Sequence, residues 1–229
     1  MKHYFPLGSP RNKLQADIAS TIKEYYPIGV EFNTEQYNSH PGYIKLGNII
    51  NEHMTDYRAY IAPWKLFLSG LPKGFKSKIN NYGFAHQLSY SGKLALYSFE
   101  DEILIRKKSL IFNISWLGNF YAIYGLDETA IKDEKDGRGL FYHTINVITV
   151  SPHKEFKSAF NYLKMAIKQY FIGYRFVPFT LCSSIIPEMK SYRSYFNEAT
   201  VYNSLFSDAL DRFYLPSIFL RGDERYGIE

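Results

Sequence analysis

The chain has 229 residues, 46% hydrophobic and 21% charged, a length and balance that fit one large globular domain able to bury a core without covalent staples. A single cysteine, Cys182, excludes an internal disulfide framework. No apolar run is long enough to span a bilayer and the first residues hold no signal-type apolar stretch, so a cytoplasmic location is the expectation. The net charge of +5 is uneven: residues 1–100 carry 11 basic and 7 acidic groups, residues 101–229 carry 16 and 15. No acid lies between Asp56 and Glu100, a stretch that holds Arg58, Lys65, Lys73, Lys76, Lys78 and Lys93. Such a local field suits nucleic acid, acidic lipid headgroups or an acidic protein, and a mild excess spread over this length is more often a solvated surface.

In chain order, Ser9-Pro10 reads as a helix start. Leu14, Ile18, Ile22 and Tyr25 follow at helical spacing and Pro27 stops the run, which predicts a helix over 10–26. Tyr43, Leu46, Ile50, Met54, Tyr57 and Ile61 form a second stripe, a helix over 43–61 ended by Pro63. From Tyr82 the period becomes two, with Phe84, His86, Leu88 and Tyr90 alternating with polar or small residues. Ser91-Gly92 then reads as a turn, followed by strands over 94–99, 103–116, 120–125 and 140–150. Glu100-Asp101-Glu102 and Leu117-Gly118-Asn119 are the breaks, and residues 127–139 read as a charged loop. Ser151-Pro152 opens a third helix, 152–172, with Phe156, Phe160, Leu163, Ile167 and Tyr170 on one side and Lys157, Asn161, Lys164 and Lys168 on the other. The segment 176–186 reads as extended, 201–213 as a short helix, and the tail from Arg221 as frayed. The short connections between strands imply an antiparallel meander. The expected fold is α+β: a five-stranded antiparallel meander over about 82–150, packed on one face by helices from both flanking segments.

No motif assigns a chemistry. The six histidines show no metal-binding spacing, and the one pair at helical spacing is His53 and Asp56. Cys182 sits in an apolar run, the setting of a small core residue with a raised thiol pKa. No nucleophile elbow and no phosphate-binding loop is present, and Gly137-Arg138-Gly139 precedes a strand instead of opening a helix. The acids Glu100/Asp101/Glu102, Asp127/Glu128 and Asp133/Glu134/Asp136 fall at strand ends or in the loop, where carboxylates are solvated. His86 and His143 lie on strands among apolar neighbours and read as core residues, or as an acid/base pair if they meet. Arg221-Gly222-Asp223 spells an adhesion tripeptide that carries no weight at three letters.

Three functions follow in order. First stands a non-enzymatic protein-interaction domain, for which a toxin-neutralising immunity protein is the type. Its composition is 18% aromatic, with 21 Tyr, and Tyr favours interfaces. Next comes an enzyme with a site assembled from scattered residues, His86, His143 and Cys182. Last is a nucleic-acid binder using its basic surface. The candidate surface is Lys157, Lys164 and Lys168 with Lys73, Lys76 and Lys78. No cofactor and no metal is expected.

Overall fold

The structure, a computed structural model, describes residues 3–76, 78–81, 87–132, 140–191, 198–207 and 218–228. Helix α1 (Lys13–Tyr25) starts later than Ser9, because the carboxamide of Asn12 accepts the amide of Gln15 at 2.9 Å and so satisfies a first-turn donor. A short α2 (Glu35–Asn38) leads into α3 (Pro41–Thr55) and α4 (Tyr57–Gly70). The expected single helix over 43–61 is thus two helices. Asp56 leaves the helical region at φ −113°, ψ 64°, and its carboxylate accepts the amide of Ala59 at 3.1 Å, capping α4. Pro63 lies inside α4 and does not end it. The hydrogen bond that Pro63 cannot donate is outweighed by burial of Tyr60, Ile61, Trp64 and Phe67 on the face toward the sheet.

After a one-turn α5 (Lys73–Lys76), four long strands form the meander: β2 (Ser89–Glu100), β3 (Leu104–Ser115), β4 (Phe120–Lys132) and β5 (Leu140–Thr149). Among the described residues three short strands complete a seven-stranded sheet. β1 (Ile79–Asn81) pairs antiparallel with β2. β6 (Arg175–Phe176) runs parallel to the start of β4, and β7 (Phe219–Arg221) runs parallel to the end of β5. The sheet is therefore mixed, mostly antiparallel, and larger than five strands.

Ser91-Gly92 is not a turn; it lies within β2. A Cβ on Gly92 would stand 2.3 Å from Cζ of Phe112, so glycine here makes room for a ring and does not bend the chain. Residues 82–86, including Phe84 and His86, lie outside the described residues. β4 continues to Lys132 through Asp127 and Glu128, which the sequence places in a loop. Register explains why: Asp127 faces Lys108 across the ladder, and opposite charges on neighbouring strands support pairing.

Helices cover both faces of the sheet, not one. β3 and β4 alternate strictly. Leu110, Phe112, Ile114, Tyr121 and Ile123 join the core under α4 and α6 (Lys157–Tyr170), while Ile111, Ala122, Tyr124 and Leu126 join the core under α1, α7 (Phe179–Cys182) and α8 (Val201–Leu205). A sheet with one apolar face needs one helical layer; this one has two apolar faces and needs two. Each large side chain in these layers contributes about 1.5–3 kcal/mol of burial. The extended reading of 176–186 gives way to β6 and α7. Of the expected helix over 201–213, α8 is the described part, and residues 208–213 lie outside the described residues. The tail is not frayed: β7 binds the sheet edge, and Tyr226 packs against Phe160 and Phe176. Among the described residues no helix is long and apolar enough to cross a membrane.

Candidate functional site

The four long strands have two ends. At the near end (Ser89, Ser115, Phe120) they are buried on both faces. At the far end (Glu100, Leu104, Lys132, Leu140) the face that carries α4 and α6 opens to solvent. Register sets the far-end rows on that face: Tyr97 beside Lys108 and Asp127, then Phe99 beside Arg106, Thr129 and Thr144, then Leu104 beside Ile131 and Tyr142. Tyr97, Phe99, Tyr142 and the turn residue Ile103 are 43–56% exposed. Arg106 and Lys107 are exposed and have no ion-pair partner among the described residues. The β2–β3 turn is rigid, since Asp101 Oδ1 accepts the amides of Ile103 (2.9 Å) and Leu104 (2.6 Å), and these donors lower its pKa.

The opposite face of the far end is covered along β4, where it holds a charged group, while Ser98, Lys107 and His143 on the same face are exposed. Glu128, with a side chain only 8% exposed, meets Lys93 Nζ at 2.7 Å through Oε2 and His143 Nε2 at 3.2 Å through Oε1. Ser109 Oγ lies 3.3 Å from the same Oε2. A buried carboxylate requires such partners. In sequence Glu128 reads as a solvated acid beside Asp127, so its burial is a finding of the structure. The alternation Leu126, Glu128, Ala130 on one side of β4 was the available signal. As chemistry the arrangement is incomplete: a nucleophile–base–orienter relay places the hydroxyl on the histidine, and here Ser109 contacts the carboxylate instead.

Toward the near end of this face, polar side chains attach α8 to the sheet. Ser89 Oγ donates to Phe206 O (3.0 Å), Ser115 Oγ to Leu205 O (2.7 Å), and Tyr202 OH to Asn113 Oδ1 (2.9 Å), while Asn113 Nδ2 donates to Ser91 Oγ (2.6 Å). A buried network with this many satisfied members holds a helix in one register; its chemistry is positional.

The remaining predicted residues separate. Cys182 is fully buried in α7, its thiol donates to Val177 O at 3.6 Å, and burial pushes its pKa up, so it is a core residue. It is not near His143: α7 packs at Tyr124 through Phe179, whereas His143 pairs with Ala130, about 20 Å farther along β4 at roughly 3.3 Å per residue. His53 packs edge-on against Trp116 (4.2 Å) and against Tyr60 (4.6 Å), and burial lowers its pKa. Asp56, three residues on, is the cap of α4. Among the described residues no three His, Cys, Asp or Glu side chains gather as a metal site. Gly137-Arg138-Gly139 and Asp133/Glu134/Asp136 lie outside the described residues. Arg221, of the adhesion tripeptide, is held by Thr149 (3.0 Å) and Glu155 (3.4 Å).

The lysines divide as well. Lys164 is half-buried: its ammonium donates to Tyr226 OH at 2.8 Å and lies over the rings of Tyr226 (4.3 Å) and Phe176 (4.8 Å), so it holds the C-terminal tail. Lys157 and Lys168 are exposed on α6. The three do not form one free face. Lys73, Lys76 and Lys78 do stay together, exposed, on α5 and the step into β1. Phe75 pins α5 to Tyr162 of α6 at 4.5 Å. Comparison of the chain with protein-family models, with curated proteins and with solved structures finds no match.

Proposed function

We propose that this is a non-enzymatic protein-binding domain whose contact surface is the exposed far end of the sheet. One observation carries the reading: Tyr97, Phe99, Ile103 and Tyr142 stand exposed in adjacent rows with Arg106 among them. Aromatic residues and Arg are the types enriched where proteins meet, and clustered exposed apolar groups mark an interaction site where scattered ones do not. A toxin-neutralising immunity role is the specific form we favour. In that role the domain needs only a shaped, charged surface that covers a partner.

The test is co-expression. The product of the adjacent gene is expressed alone and together with this chain, and with its Tyr97→Ser/Phe99→Ser variant. Growth arrest relieved by the parent chain and not by the variant, at equal soluble level, is the expected result. Relief by both equally moves the surface elsewhere. Capture of oligonucleotide at moderate salt, with no protein partner, overturns the reading in favour of nucleic acid.

A further inference from the structure

Among the described residues the far end of β2 is also an open sheet edge. β1 accompanies β2 only from Gly92 to Leu94, and the last contact on that side is the Ala95 amide donating to Lys78 O at 2.9 Å. A bulge between Ala95 and Tyr97 follows. Such irregularities sharpen twist and end pairing. Beyond it the direction of each backbone group follows from the turn. The Asp101 amide donates to Leu104 O at 3.0 Å, so Asp101/Leu104 is a hydrogen-bonded pair. Bonded and non-bonded pairs alternate along an antiparallel ladder. Phe99/Arg106 and Tyr97/Lys108 are then bonded pairs, while Ser98, opposite Lys107, and Glu100, opposite Ile105, turn their N–H and C=O outward. Among the described residues no backbone group meets them there. Natural sheets guard such an edge with charge. Here the stretch 96–100 carries one charged side chain, Glu100, and Lys132 pairs with it at 2.7 Å.

The charge at the β1 end of this edge is basic, whereas Glu100, Asp101 and Glu102 lie at its turn end. A strand laid along it would continue the line of β1, and its end would arrive at Lys78, with Lys76 and Lys73 just behind on α5. All three are exposed and lack an acidic partner among the described residues. They belong to the acid-free stretch between Asp56 and Glu100, which supplies α4, α5, β1 and nearly all of β2. Arg106 and Lys107 flank the same edge from β3.

We propose that the edge of β2 at Leu96–Glu100 receives an extended acidic segment of a partner protein as an added strand, with Tyr97 and Phe99 covering its side chains on the exposed face. This rests on the protein-binding reading above and adds its mode: main-chain hydrogen bonds to Ser98 and Glu100 supply affinity, and the lysines at the strand's end supply charge selection.

The experiment pans a displayed library of random linear peptides on the purified full chain, then follows amide exchange by NMR with a synthesised winner. Three results are expected. Selected peptides are rich in Asp and Glu alternating with apolar residues. The amides of Ser98 and Glu100 gain protection while those of Tyr97 and Phe99, already bonded to β3, do not change. Ser98→Pro, which removes an outward donor that edge strands can lose, weakens binding about tenfold, as the loss of one to two hydrogen bonds requires. Should Ser98→Pro lower the melting temperature, Lys76→Glu/Lys78→Glu is the second variant, expected to slow association with the acidic peptide. Peptides that need Phe99 and Arg106 yet leave the Ser98 and Glu100 amides unprotected overturn strand addition and leave the protein-binding surface standing. Absence of any selected peptide, or protection of these amides by oligodeoxythymidine instead, overturns both.

Discussion

The near and far halves of the same four strands obey opposite rules. From Leu110 to Ser115 and from Phe120 to Leu126 every residue is buried, on both faces, under two helical layers. From Tyr97 to Glu100 and from Leu104 to Lys107 the same strands carry exposed aromatics and Arg106 on one face, and on the other the exposed Lys107 stands opposite the covered Glu128. Continuity of the ladder lets the near half pay the entropic cost of order for both. The far half is then free to hold side chains that add little to stability. A surface placed on strands anchored this way is pre-organised, which loops seldom achieve.

The largest expected effect belongs to the near half. Phe112→Ala removes a fully buried ring packed against Trp64 and Phe67 and should lower unfolding free energy by about 3–5 kcal/mol in urea titration. An effect as small as that of a surface change would place β3 outside the core. Glu128→Ala tests the covered face of the far half. Removing the carboxylate strands Lys93 and Ser109, and the expected loss is about 1.5–3 kcal/mol by the same titration. Gly92→Ala pushes a Cβ into the Phe112 ring and should cost about 1–3 kcal/mol; relief by Phe112→Leu in the double variant would confirm that the clash is the cause.

A smaller effect follows pH at the junction of the halves. The Lys108 ammonium, 2.6 Å away, holds the Glu155 carboxyl down at about 2, with Arg221 assisting. A folded-state pKa below the ordinary value of 4.5 means a contribution fully present above that value and lost as pH falls from there toward about 2. Glu155→Gln should flatten the acid side of the stability profile across that window, and an unchanged profile would show that the pair is screened in solution. The smallest effect is at the exposed rows. Tyr97→Ser and Phe99→Ser should each move stability by no more than about 0.5 kcal/mol, since neither ring is buried. A melting temperature that drops as far as for Phe112→Ala would erase the distinction between the halves.

The α+β class, the meander and the α6 stripe were legible in the sequence because each is a local periodicity. Period two over 103–116 marks a strand, though not that both its faces are covered, and the spacing of Phe156, Phe160, Leu163 and Ile167 states which side of α6 is buried. What a residue meets across space was not legible. Gly92 reads as a turn in sequence but makes room for the Phe112 ring, and Pro63 reads as a stop but the core beneath α4 outweighs the missing hydrogen bond. Glu128 reads as solvated in sequence, but Lys93 from β2, across β3, and His143 from the adjacent β5 converge on it. Lys164 looked like its neighbours on α6 until Tyr226 arrived from the C-terminus. Local sequence sets backbone preference and which face is apolar, since these depend on the residue and its near neighbours. Pairing of charges, close approach of rings and the open edge at Ser98 and Glu100 depend on residues far apart in the chain, and only the folded packing brings those together.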